Sequence, residues 1–224
     1  MTEVQVIFCL SKKRLKKLQE KIDMIVNKLL LILLSAFLFI GCSTTTPAIS
    51  EYRISVKPNI PVFTQTGCKD ESLKVAQAFS STSLMTHDMN YGQGTHKQYK
   101  FTQSQWAESP NRAITTAIVE YLKSTKLFKN VQISKSRSKN GLILETNIED
   151  FMQYFSEDEK ESFVLVRIDF TLIDVKTGKV LATQTFDSNI KVDSMNAEAG
   201  VKHLNIALEN VLNNSGKWLS EVCK

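Results

Sequence analysis

The sequence predicts a single α+β domain, with a largely antiparallel, mixed sheet and two main helices packed on one of its faces. Three observations lead there. Residues 162–173 alternate strictly, with Val164, Val166, Ile168, Phe170 and Leu172 on one side, which is the period of a half-buried strand. Residues 174–179 (DVKTGK) then form a turn, and 180–192 returns as a hairpin partner. Two segments, 110–125 and 196–222, instead carry apolar residues at helical spacing. Hairpins joined by local turns favour antiparallel pairing, and two amphipathic helices need one sheet face to bury theirs.

The elements follow in order. Residues 51–57 (EYRISVK) alternate through Tyr52, Ile54 and Val56 and predict a strand, stopped by Pro58 and Pro61. A loop with Gly67 and Cys68 leads to a second short strand at 72–78, with Leu73, Val75 and Phe79 as its apolar residues. Residues 80–100 read as a surface excursion with at most one edge strand around 83–85. Ser109 is placed to cap a helix whose first residue is Pro110, and Ile114, Ala117, Ile118, Tyr121 and Leu122 form its buried face up to Thr125. Trp106, just before this helix, is expected to anchor the core at that corner. A short strand at 131–137, an Asn140-Gly141 hairpin turn and a strand from Leu142 towards Tyr154 come next. The acidic run 156–161 (SEDEKE) reads as a solvated turn. In the last helix, Val201, Leu204, Leu208, Val211, Leu212, Leu219 and Val222 make the stripe, Trp218 stands near the end, and Gly216 is expected to loosen the final turn.

The N-terminal end is of another kind. Residues 24–42 read MIVNKLLLILLSAFLFIGC, in which Lys28 precedes an apolar run from Leu29 to Ile40. That run has the length of a signal-peptide core and is short for a membrane-spanning helix. Its end, Leu38-Phe39-Ile40-Gly41-Cys42, resembles a bacterial lipobox, with Phe39 where Leu is commonest. The resemblance implies cleavage between Gly41 and Cys42 and lipidation, as by palmitate, of Cys42. Residues 1–41 are then a signal peptide, 42–50 a lipidated tether (STTTPAIS after the Cys), and 51–224 the domain. Residues 1–23 precede a complete signal peptide, so they are either a long charged lead-in or an extension upstream of a start at Met24. A plain N-terminal membrane anchor with an incidental Cys is the rival reading.

Charge and cysteines bound the function further. The chain carries +5, but residues 1–41 hold seven Lys/Arg against three Asp/Glu, so the remaining 183 residues carry +1. The basic cluster at Lys12, Lys13, Arg14, Lys16 and Lys17 belongs to the targeting end, and no nucleic-acid surface is indicated. Of four cysteines, Cys68 and Cys223 fall in the exported domain and are a disulfide candidate on compartment grounds, with two free thiols as the alternative. No nucleophile elbow, zinc-protease motif, phosphate loop or Cys-x-x-Cys is present. His87, His96 and His203 are scattered without metal-ligand spacing, so neither a metal nor a cofactor is expected, and a catalytic role is not indicated.

The lipobox, Tyr99-x-Phe101 leading to Trp106-Ala107-Glu108-x-Pro110, the hairpin with Arg167-x-Asp169-Phe170-x-Leu172-Ile173-Asp174, Gly178-x-Val180 and Phe186, and a closing helix with its Trp together resemble the ABC-type transport auxiliary lipoproteins, a family that includes the paraquat-inducible protein C type. The resemblance covers most of 51–223. It implies a non-catalytic lipoprotein on the periplasmic face of the outer membrane, partnered with an MCE-type ABC transporter for lipids and able to form a homo-oligomeric ring. Ser43 after the lipidated Cys fits outer-membrane sorting. A lipoprotein that activates a cell-wall synthase is the alternative, and a periplasmic hydrolase is a third class. Leu84, Met85, Met89 and Tyr91 in the 80–100 excursion are the candidate partner-binding residues, because long loops in compact domains are more often functional than idle. The other expectation for them is that they fold back onto the sheet.

Overall fold

The structure, a computed structural model, describes residues 16–31, 47–57, 63 and 67–223. The chain divides into two units, 1–47 and 48–224. In the first, residues 16–31 form helix α1, and every one of them is exposed. Among the described residues no helix is long and apolar enough to cross a membrane. Cys42, Gly41 and the lipobox lie outside the described residues.

The second unit is α+β, with nine strands among the described residues in one open mixed sheet. In order they are β1 (Ser50–Tyr52), β2 (Ser72–Val75), β3 (Phe79–Ser80), a 3₁₀ turn (Thr82–Leu84), β4 (Asp88–Gln93), β5 (Lys97–Trp106), helix α2 (Pro110–Thr125), β6 (Asn130–Ile133), β7 (Leu142–Phe155), β8 (Ser162–Asp174), β9 (Val180–Val192) and helix α3 (Ala197–Val222). The long strands β7, β8 and β9 pair antiparallel. Along the other edge of β7 three short strands pair with it in succession, all parallel: β2 at Leu142–Leu144, β3 at Asn147–Ile148 and β4 at Gln153–Phe155. β6 lies parallel outside β2; β5 lies antiparallel outside β4, and β1 parallel outside β5.

Local chemistry explains the long elements. Asp174 closes the β8–β9 turn by accepting from the Thr177 N–H (2.7 Å) and hydroxyl (2.9 Å), while Gly178 takes φ +69°. Asn196 caps α3 by accepting from the Ala199 N–H at 2.9 Å. Ser109 holds the N-cap position of α2, but its side chain makes no cap bond; Pro110 at the first turn and the Ser109 carbonyl begin the helix. Leu204, Leu208, Val211, Leu212 and Leu219 of α3 are buried against Val164, Val166, Ile168, Phe170 and Leu172 of β8. Each such side chain contributes about 1.5–3 kcal/mol relative to an exposed one. Trp106 is 3% exposed and packs on Phe151.

Other details also depart from the sequence expectation, and β6 stops at Ile133, short of the 137 expected. The strand predicted at 51–57 pairs only at Ser50–Tyr52, because its neighbour β5 ends at Trp106 and the chain turns into α2. Phe79 is exposed in β3 and not part of the core. Residues 80–100 are not a loose excursion: they hold the 3₁₀ turn, β4 and the start of β5, paired about a turn in which Gly94 takes φ +59°. Asn140-Gly141 does not make a hairpin, since β2 lies between β6 and β7 and all three run parallel. Gly216 does not loosen α3; a side chain there would strike the Tyr121 ring, so the glycine lets α2 and α3 approach.

Candidate functional site

The residues singled out in 80–100 separate by depth. Leu84 (5% exposed) and Met89 (3%) belong to the core, which removes them from any contact surface. On β4, Met89 and Tyr91 share the face covered by the helices, while Asp88 and Asn90 point the other way. Met85, just after the 3₁₀ turn, is 49% exposed.

Tyr91 is half-buried and sits at the centre of four rings. Its centroid lies 5.5 Å from Tyr99, 4.6 Å from Phe101 and 4.9 Å from Phe155. The cluster grades from Phe155 in the interior to Tyr99, 43% exposed, at the surface. These rings meet because the β4–β5 hairpin sets Tyr91 opposite Tyr99, and the parallel β4–β7 register brings up Phe155. A half-exposed aromatic cluster of this type supplies rigid, amphipathic contact area at low entropic cost. Tyr99, Phe101 and Phe155 escape a reading of residues 80–100 taken as loop; the alternation of Tyr91, Tyr99 and Phe101 around Gly94 is the signal for the hairpin.

The sheet face away from the helices carries a polar arrangement of its own. A bulge between Ile148 and Asp150 reverses the alternation of β7, so that Asp150 leaves the helix-covered face and stands beside Arg167 of β8. The Tyr154 hydroxyl donates to Asp150 Oδ2 at 2.6 Å, and the Tyr154 ring stacks on Phe163 at 5.2 Å. Burial raises the Asp150 carboxyl above its ordinary value, against the opposing pull of the Tyr154 hydroxyl and the Arg167 charge. Burial also raises the Tyr154 phenol, as does its bond to Asp150.

The other candidate chemistry is dispersed. The His87 ring bonds the Trp106 carbonyl through Nδ1 at 2.9 Å, and His203 bonds the Ala199 carbonyl at 2.8 Å. No group of three His, Cys, Asp or Glu able to hold a metal occurs among the described residues. In the acidic turn, Ser156 Oγ accepts the N–H groups of Lys160 and Glu161, and Lys160 pairs with Asp158 at 3.1 Å in solvent. Cys68 and Cys223 are joined as a disulfide with their Cα atoms 5.2 Å apart, and the Gly67 N–H donates to the Cys223 carbonyl beside it.

Residues 52–214 match the model of the family described as ABC-type transport auxiliary lipoprotein component. No curated protein matches the sequence. Among solved structures, the chain is similar to protein XCC0632 from Xanthomonas campestris, with TM-score 0.69 and 13% identity over 77% of this chain and 95% of that one. A second solved structure gives TM-score 0.60 and 16% identity over 77% and 99%. The PelC dodecamer from Paraburkholderia phytofirmans gives TM-score 0.40 and 15% identity over 76% and 93%. The first two likenesses are of fold.

Proposed function

The chain belongs to the family of ABC-type transport auxiliary lipoprotein components, and on that premise we propose that it is the non-catalytic periplasmic partner of an MCE-type ABC transporter that moves lipids. The protein is held by lipid on Cys42 at the periplasmic face of the outer membrane, where it docks the transporter's periplasmic channel as a ring of identical subunits. The family match across nearly the whole domain is the observation that carries this reading.

The docking contact is assigned to the exposed apolar groups near β4: Met85, Tyr99 and the outer edge of Tyr91. The domain from Cys42 onward carries +1, so contact rests on shape and apolar surface more than on long-range steering. Affinity purification of the full chain from detergent-solubilised membranes tests the reading. An MCE-type protein and its ATPase should co-purify; a peptidoglycan synthase in their place overturns it. The variants Met85→Asp and Tyr99→Asp should each weaken recovery of the MCE-type protein at least tenfold with unchanged thermal unfolding. Undiminished recovery with both moves the contact elsewhere.

A further inference from the structure

A strand-like segment in this domain lacks a strand partner. Residues 53–57 follow β1 with the burial alternation of a strand, Ile54 and Val56 half-buried and Arg53, Ser55 and Lys57 exposed. Its two edges differ. In an extended chain the N–H and C=O of one residue point to one edge, and those of the next residue to the other. The Tyr52 carbonyl accepts from the Ala107 N–H at 2.8 Å, so Tyr52, Ile54 and Val56 share the edge on the β5 side. The Ser55 N–H, on the opposite edge, donates to Asn205 Oδ1 of α3 at 3.0 Å. β5 ends at Trp106 and α2 begins at Pro110, so no strand runs on beside Ile54 and Val56. Among the described residues their backbone groups have no partner.

A groove of about 390 Å³ lies there, between Ile54–Val56 and the Ala113, Ala117 and Tyr121 side of α2. A further 270 Å³ beside Arg53 and Ala107 prolongs it towards β5. Ala113 and Ala117 present only methyl groups, which leaves width for a backbone between helix and segment. Tyr121 on the floor is 2% exposed, and its hydroxyl has no hydrogen-bond partner among the described residues. Glu108 and Glu120 line the main groove; no cationic side chain does, Arg53 lining only the prolongation. Arg112 pairs with Glu108 from outside it at 3.2 Å.

We propose that this groove binds an extended peptide segment of a partner protein, which pairs as a strand with the free edge of Ile54–Val56 and sets a Lys or Arg against Glu120. Main-chain pairing of this kind supplies affinity, and alternate side chains supply specificity. With Glu108 paired to Arg112, Glu120 is the carboxylate that selects a basic residue. An acyl chain fits poorly, because it would cover the backbone groups of Ile54 and Val56 without bonding them. The inference does not depend on which complex the lipoprotein serves.

The test uses full-length protein in detergent micelles and heptapeptides selected against it from a random phage-displayed library. Selected peptides should alternate apolar residues, carry Lys or Arg, and slow amide exchange at Ile54 and Val56 at least tenfold. Ala117→Leu, which fills the groove, should cost at least tenfold in affinity. Glu120→Lys, on the solvent rim, should do the same for basic peptides whatever becomes of the first variant's stability. Failure to select peptides, or selected peptides that bind both variants as well as wild type, overturns the proposal. Protection of Ile54 and Val56 without peptide that vanishes on dilution assigns the edge to a second copy and also overturns it. So does the same protection produced by phosphatidylethanolamine vesicles alone.

Discussion

Asp150 shows how one backbone irregularity changes the meaning of a residue. Without the bulge after Ile148, the alternation of β7 would put position 150 among core residues; with it, the carboxylate meets the Tyr154 hydroxyl and the Arg167 charge on the uncovered face. Burial nevertheless outweighs both, and the carboxyl titrates above its ordinary 3.8. A carboxyl whose folded value lies above its unfolded one binds protons more tightly in the native state. Its contribution to stability is full below about 3.8 and is lost as pH rises through the higher folded value. Asp158 and Asp174 are shifted down by their turn hydrogen bonds and act in the opposite sense, so the Asp150 effect is isolated only by comparison with Asp150→Asn. Thermal unfolding of both proteins from pH 3 to 7 should show wild type losing ground to the variant as pH rises. A gap that stays constant across that range refutes the assignment.

At the scale of elements, the ends of the chain's core are closed by a covalent link between an early turn and the last helix. Cys68 and Cys223 stand 155 residues apart in sequence. Cross-linking so distant a pair restricts the unfolded chain strongly, and loss of a native bridge in a small exported domain costs about 2–5 kcal/mol. Cys223→Ser with Cys68→Ser should lower the unfolding free energy by an amount in that range and steepen the denaturant slope, because the unlinked chain exposes more surface when unfolded. Alkylation of both thiols in native, unreduced protein contradicts the bridge. Helix packing obeys a local logic of a different sort. Gly216 lacks the side chain that would strike Tyr121, and the closeness thereby gained leaves the Tyr121 phenol enclosed; burial pushes it up to about 12.

On the scale of the whole molecule, the first strand begins at Ser50, eight positions after Cys42 in the sequence. An extended stretch of eight residues reaches at most about 25–30 Å, so a lipid on Cys42 keeps the domain within a few nanometres of its membrane. The expected signature is that Cys42→Ala accumulates an uncleaved precursor that takes up no radiolabelled palmitate. Normal-sized, labelled mature protein from that variant would sink the anchoring proposal. Wild-type protein found only in inner-membrane fractions would redirect it to the other membrane.

Elements whose instructions are local were legible in the amino-acid order alone. The bounds of α2 at Pro110–Thr125, the β8–β9 hairpin around Asp174–Gly178 and the stripe of α3 follow from periodicity, capping and turn chemistry within a few residues of each position. The family-like Trp106 corner was legible for the same reason. What required the tertiary structure were short strands with distant partners. β2, β3 and β4 are two to six residues long and find their places along β7 through pairings more than fifty residues away, which no local pattern encodes. That choice overrode the Asn140-Gly141 turn signal, buried Met89 while leaving Met85 in solvent, and gathered Tyr91, Tyr99, Phe101 and Phe155 into one cluster. It also left Ile54 and Val56 without a paired strand among the described residues. The physical cause is common to all of these: a strand's side-chain period states which face is buried, whereas its hydrogen-bonding edge is satisfied by any strand that the packing of the whole domain brings alongside.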